Sequence, residues 1–224
     1  MPDIVTTEVS PASVMVTLNR PEKLNALTSV MLTELISIAQ SAEQRGIRVI
    51  ILTGVGRAFS SGGDISKLFG LNIGEMKNYL SSYAELSEAI SSSSAMWIAA
   101  VNGLAYGGGL EIATMCDTII SSESATYCVA DIQVGALPTG GLTWRLPRRI
   151  GSGSASWMML CNPVVSASRA LEIGLVDEVV PLDQLLNHAT HLGTQIIQFH
   201  PEVVKSTKSA LRDVWSQSYS SAKD

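Results

Sequence analysis

Positive charge is in short supply in this sequence: 15 Lys and Arg stand against 20 Asp and Glu, a formal net charge of -5. A surface of that sign repels a phosphate backbone, so nucleic acid is excluded as a partner. Arg145, Arg148 and Arg149 form a local cluster too small to reverse the balance. Cysteine is equally sparse. Cys116, Cys128 and Cys161 are scattered, which gives neither a disulfide framework nor zinc-ligand spacing and fits a reducing compartment. No apolar run is long enough to span a bilayer, and Met1-Pro2-Asp3-Ile4-Val5 lacks a basic, apolar leader pattern. The expectation is a cytoplasmic protein with no membrane partner.

Histidine is confined to the last third, at His188, His191 and His200. None stands near the early glycine-rich segments, which argues against a Ser-His hydrolase. His188 and His191 lack a third ligand, so no metal is expected. Gly54-Val55-Gly56-Arg57-Ala58-Phe59 begins like a dinucleotide fingerprint but carries Phe59 where the third glycine belongs, and no phosphate loop is present. No cofactor is expected.

Apolar residues are plentiful. At 224 residues and 46% hydrophobic, the chain has material for one large core, with a helical appendage toward its end. Residues 4–9 and 13–19 are rich in β-branched side chains and predict a hairpin. Met31, Leu32, Leu35, Ile36 and Ala39 recur at helical spacing from a Thr28 or Ser29 cap, and the helix is expected to run until Gly46. Residues 48–53 predict a strand buried on both faces. A helix over 74–90, a serine loop over 91–94, a strand over 97–101, a buried helix over 108–115 and a strand over 117–121 follow. Strand, glycine turn, helix and strand in this order imply right-handed crossovers, an α/β fold. The last third reads as helices over 142–149, 154–160, 166–173, 182–199 and 201–215, with one strand at 178–180.

Two glycine-rich segments carry the chemistry: Ala58-Phe59-Ser60-Ser61-Gly62-Gly63-Asp64 and Asn102-Gly103-Leu104-Ala105-Tyr106-Gly107-Gly108-Gly109-Leu110-Glu111. Each follows an apolar run and opens a predicted helix, where uncovered N–H groups at the positive end of the dipole favour negative charge. Two such junctions converging on one oxygen make an oxyanion site. Glu111 lies one turn beyond Gly108 on the same helix face, and a carboxylate on so apolar a helix is costly without a purpose. Asp131 is a second acid in an apolar context. Asp64 reads as a helix N-cap and Asp117 as a residue with a structural hydrogen bond.

These residues resemble the crotonase (enoyl-CoA hydratase/isomerase) superfamily. The likeness runs through Leu18-Asn19-Arg20-Pro21, Leu24-Asn25-Ala26-Leu27, both glycine segments, Cys116-Asp117, Leu137-Pro138, Gly140-Gly141, Arg145-Leu146-Pro147, Ile150-Gly151 and 174–180, about four-fifths of the chain. It implies a spiral of β-β-α units over 1–180 and a C-terminal helical trimerisation region over 181–224, assembled as a homotrimer or a dimer of trimers. Substrates implied are acyl thioesters of coenzyme A or a carrier protein, with coenzyme A entering as part of the substrate. Gly63 and Gly108 match the oxyanion donors. Lys23, Ala26, Ser61, Asp64, Ile65 and Ser66 match stretches that carry the nucleotide and pantetheine. Glu111 and Asp131 match the two acids of a hydratase, although the second is Asp here where the family has Glu. The reading is therefore an enoyl-CoA hydratase. Its alternatives are a Δ3,Δ2-enoyl-CoA isomerase, other thioester-enolate chemistry, or a catalytically weak thioester-binding homologue. Lys205 and Lys208 either meet the nucleotide phosphate or form a solvated helix face. The end after residue 215 is shorter than the resemblance implies and would leave the pocket open.

Overall fold

The computed structural model describes residues 2–213. Ile4–Ser10 (β1) and Ser13–Leu18 (β2) form the expected antiparallel hairpin, with Ile4 opposite Leu18. Ser29–Ser41 (α1) follows, capped by the Thr28 side chain, which accepts from Met31 N–H. Its regular turns stop at Ser41, before Gly46. There Ile47 N–H reaches back to Ala42 C=O at 2.8 Å across the left-handed Gly46, so the glycine closes a terminal turn and the helix has already ended.

From here the chain repeats one unit three times: a strand in a large sheet, a tight corner, a short strand in a small sheet, then helix. The first is Val49–Gly54 (β3) and Ala58–Ser60 (β4), leading into Ile65–Leu68 (α2) and Ile73–Ser92 (α3). The second is Met96–Val101 (β5), Leu104–Tyr106 (β6) and Gly108–Met115 (α4). The third is Thr118–Ser122 (β7), Thr126–Cys128 (β8) and, after a loop, Leu142–Ser156 (α5). Val165–Ser166 (β9), Ala167–Glu172 (α6), Glu178–Val180 (β10), Leu185–Ile197 (α7) and Pro201–Asp213 (α8) complete the described chain. The predicted continuation of α8 to residue 215 and the short end to 224 lie outside the described residues.

The large sheet runs β1-β2-β3-β5-β7-β10 and the small one β4-β6-β8-β9. This is the spiral of β-β-α units that the resemblance implies. The four small strands are additions to the sequence reading. So is the helical start of the serine run: α3 reaches Ser92, whose hydroxyl donates to Glu88 C=O within the helix. Helix α3 begins at a capping box, in which Asn72 and Glu75 each accept the other's backbone N–H.

Strand β3 is continuously apolar because both its faces are covered. Ile50 and Leu52 enter the main core, whereas Val49 and Ile51 pack on Leu185, Ala189 and Ile196 of α7. Two buried asparagines lock the corners. Asn25 Nδ2 donates to Val55 and Ala58 C=O, and Asn102 Nδ2 donates to Gly56 and Ala58 C=O. They hold both glycine segments at the same edge of the sheets.

Candidate active site

Gly63 forms an isolated parallel bridge with Leu27: Leu27 N–H donates to Gly62 C=O and Asp64 N–H to Leu27 C=O. In that pattern the N–H of the middle residue turns away from the partner strand. Gly108 opens α4 after Gly107, whose φ of 49° and ψ of -124° end β6 sharply, and a first-turn amide has no acceptor within its own helix. Among the described residues, neither Gly63 N–H nor Gly108 N–H donates a hydrogen bond. Both glycines line one cavity of about 280 Å³, together with Glu111 and Asp131.

Glu111 is 1% exposed. Thr139, from the loop before α5, donates to it through both its backbone N–H and its hydroxyl, the latter at 2.8 Å from Oε2. Burial, and next the charge of Asp131, push its pKa from 4.5 up to about 7 against the pull of those Thr139 bonds. Asp131 begins a 3₁₀ turn, Asp131–Val134, and burial lifts its carboxyl to about 6. Asp131 Oδ2 is buried without a hydrogen-bond partner among the described residues. Two acids titrating close to neutrality in one cavity can take up and return a proton at physiological pH.

These shifts have a stability consequence. A carboxyl with a raised pKa binds its proton more tightly folded than unfolded, so its contribution to stability falls as pH rises. For Glu111 the rise from 4.5 to about 7 amounts to about 3 kcal/mol, lost across that window. Thermal melts should show Glu111→Gln gaining Tm on the native chain between pH 5 and pH 8; parallel curves would contradict this.

Two further residues escape sequence reading, Tyr79 and Tyr83, which are 4% and 2% exposed. Their rings meet edge to face, and their hydroxyls lie 2.9 Å apart. Tyr79 donates to Leu27 C=O at 3.3 Å, which leaves Tyr83 as donor to Tyr79. A Cβ at Gly63 would stand 2.8 Å from Tyr79 Oη, and one at Gly108 would overlap Tyr83 Oη. The tyrosine pair thus dictates glycine at both amide positions. The available signal was an i,i+4 aromatic pair on the apolar face of an amphipathic helix.

Of the stretch expected to carry the substrate's long arm, Ser61 and Ile65 line the cavity, whereas Lys23, Ala26, Asp64 and Ser66 do not. Lys23 is exposed in a 3₁₀ turn, and Ala26 is buried, its C=O accepting from Arg20. Asp64 stands at the N-cap position of α2, as expected, and its C=O accepts from Lys67 and Leu68 N–H. Its side chain caps no backbone amide and instead accepts from Ser66 Oγ at 2.6 Å and pairs with Arg20 at 3.0 Å. The Ser66 bond, with Arg20 behind it, keeps the Asp64 carboxyl below its usual range despite burial. Asp117 does have its structural bond, accepting from Trp97 N–H. Lys208 is neither solvated nor free, since it donates to Asp117 and to Ala95 C=O; Lys205 pairs with Glu43. No group of three metal-ligating side chains occurs among the described residues, and no described helix is long and apolar enough to cross a membrane.

A larger cavity, about 840 Å³, lies between α5, the end of α7 and α8. The Lys208–Asp117 pair lines it, but neither glycine amide nor Glu111 does, so the smaller cavity is the one with the means for chemistry.

The family model described as enoyl-CoA hydratase/isomerase matches residues 9–222. The chain is 35% identical over 198 residues to a probable enoyl-CoA hydratase of Rhizobium meliloti (strain 1021), covering 88% of this chain and 76% of that protein. Its fold superposes on the crystal structure of an enoyl-CoA hydratase from Bacillus anthracis with a TM-score of 0.94 at 33% identity, covering 99% of this chain and 86% of that one. It also superposes on a monofunctional enoyl CoA isomerase from M. smegmatis, with a TM-score of 0.84 at 30% identity and coverage of 98% and 97%.

Proposed function

This chain belongs to the enoyl-CoA hydratase/isomerase family, and we propose that it adds water across the α,β double bond of an enoyl thioester. One observation carries the reading: two undonated glycine amides from distant segments share a cavity with two carboxyls whose pKa values lie near neutrality. In the proposed reaction the Gly63 and Gly108 amides hold the thioester oxygen as charge builds there. Each such donor is typically worth about 3 to 4 kcal/mol of the barrier. Glu111, fixed by Thr139, orients a water molecule, whose oxygen bonds to the β-carbon. Asp131 serves the proton transfer: one proton leaves the water and one is delivered to the α-carbon, so H and OH are added overall. The sequence also reverses as a dehydration.

Coenzyme A, or a carrier-protein arm, enters as part of the substrate. Ser61 and Ile65 at the cavity wall, and exposed Lys23, whose C=O accepts from Ser61 Oγ, support a role for that stretch in holding it. Asp64 and Ala26 serve the arm by shaping the turn through their bonds with Arg20, and Ser66 through its bond to Asp64. In this reading the core over 1–180 carries the chemistry and the region over 181–224 assembles the homotrimer or dimer of trimers in the cytoplasm.

An isomerase is the second reading, favoured by the likeness to the M. smegmatis isomerase and by Asp131, one methylene shorter than glutamate. A single carboxylate would then carry a proton from the α- to the γ-carbon. Incubation with 2-enoyl and 3-enoyl thioesters separates the two. Hydration predicts a 3-hydroxyacyl product from the 2-enoyl substrate, with its oxygen drawn from labelled water. Interconversion of the enoyl isomers without hydration would replace the first reading by the second, and thioester binding without turnover on either would overturn both.

A further inference from the structure

The residue preceding Asp131 is held in an unusual conformation. Ala130 has φ 65° and ψ -26°, one of four non-glycine residues with positive φ among those described. Asp131 N–H donates to Val129 C=O at 2.8 Å across it, which closes a three-residue γ-turn of the strained, positive-φ kind. A side chain at such a position is disfavoured, and the turn persists only where its surroundings over-determine it.

The surroundings that do so come from Asn162, 31 residues after Asp131. Asn162 ends the helical turn Trp157–Cys161 in a left-handed conformation of its own, φ 49°. Its Oδ1 accepts from Ala130 N–H at 2.8 Å and from Cys128 Sγ at 3.3 Å. The amide cannot be turned over, because its NH₂ would then face the Ala130 N–H. Nδ2 is buried without a partner among the described residues, so the side chain is retained at the expense of an unmet donor. On its other side the turn is fixed to the oxyanion segment: Gly107 N–H donates to Cys128 C=O at 3.0 Å. Ala130 and Asp131 line the cavity, and Asn162 does not.

We propose that Asn162 is a positioning residue for the reaction: by accepting the Ala130 amide it pins the γ-turn that places the Asp131 carboxyl at the cavity wall, toward the substrate. This rests on the hydratase reading of Asp131 given above. A carboxylate shorter than glutamate has less freedom to correct its own aim, which is why its backbone must be held from outside.

The test is steady-state hydration at pH 8, above both carboxyl pKa values, with Asn162→Gly, Asn162→Asp, Asp131→Asn and the double variant Asp131→Asn/Asn162→Gly. Glycine takes the left-handed conformation freely and removes only the acceptor. Aspartate retains both the acceptor and the tolerance of that conformation. Misplacement by about 1 Å costs on the order of a hundredfold, so Asn162→Gly should lower kcat by roughly 10- to 100-fold, with KM within about threefold. Asn162→Asp should stay within about threefold of the native kcat, and the double variant should be no slower than Asp131→Asn. Asn162→Gly at native kcat, or the same loss with Asp131 already removed, overturns the inference and leaves the hydratase reading intact. Full activity of Asp131→Asn overturns both. Should Asn162→Gly fail to fold, a loss in Asn162→Asp as large as that of Asp131→Asn is the overturning result.

Discussion

Glu111→Gln lowers kcat for hydration by about 10²- to 10⁴-fold while thioester affinity stays within about twofold. Glutamine has the same reach, and its one remaining carbonyl oxygen can still accept from Thr139 N–H, with its NH₂ available to the Thr139 hydroxyl oxygen. The structural role of the side chain is therefore preserved. What disappears is the carboxyl, with its pKa near 7, that orients and polarises the attacking water. Because Glu111 is 1% exposed, bulk water cannot reach in to replace it. Initial rates on a 2-enoyl thioester, paired with calorimetric titration of the saturated analogue, separate the two effects. Native turnover would remove Glu111 from the mechanism.

Gly108→Ala produces the other large loss, about 10²- to 10³-fold in kcat/KM, the size expected for one oxyanion donor. The added Cβ overlaps Tyr83 Oη and stands 2.9 Å from Tyr83 Cε1 and Cζ. Tyr83 is 2% exposed and bonded to Tyr79, so it has nowhere to swing. The first turn of α4 must move instead, carrying the amide off its aim, and the overpacking costs about 1–3 kcal/mol of stability. Gly153→Ala in α5 is the control, since a Cβ there meets nothing within 4 Å. Gly108→Ala with kcat/KM within threefold of native, and an unchanged Tm, would show that this amide is not a donor.

Much of the fold was legible because its principal elements carry either a periodic apolar face or a continuous apolar run. The hairpin, α1, the uniformly apolar β3 and β5 and the glycine-led α4 all announce themselves by side-chain pattern. The small sheet does not. Strands of two or three residues, such as 58–60 and 165–166, are too short to show a period of two, and 58–60 is held by Asn25 and Asn102, which both bond Ala58 C=O from far along the chain. Within the site, Gly63, Gly108, Glu111 and Asp131 stood out as glycines or acids in apolar surroundings, and the cavity contains all four. Thr139, Tyr79 and Asn162 did not, because a threonine in a loop or an asparagine after a helix is unremarkable until the chain folds. Asp64 does sit at the N-cap of α2, as an aspartate before a helix suggests, but its side-chain partners were not legible. Only the fold brings Arg20, 44 residues earlier, to claim it.

The most direct measurement is a crystal structure of the protein with an unreactive acyl-CoA analogue bound. The account predicts the thioester oxygen at about 2.7–3.1 Å from both Gly63 N and Gly108 N, with the acyl chain in the cavity beside Glu111 and Asp131. An oxygen held by only one of those amides, or a thioester seated in the larger cavity by α8, would contradict it.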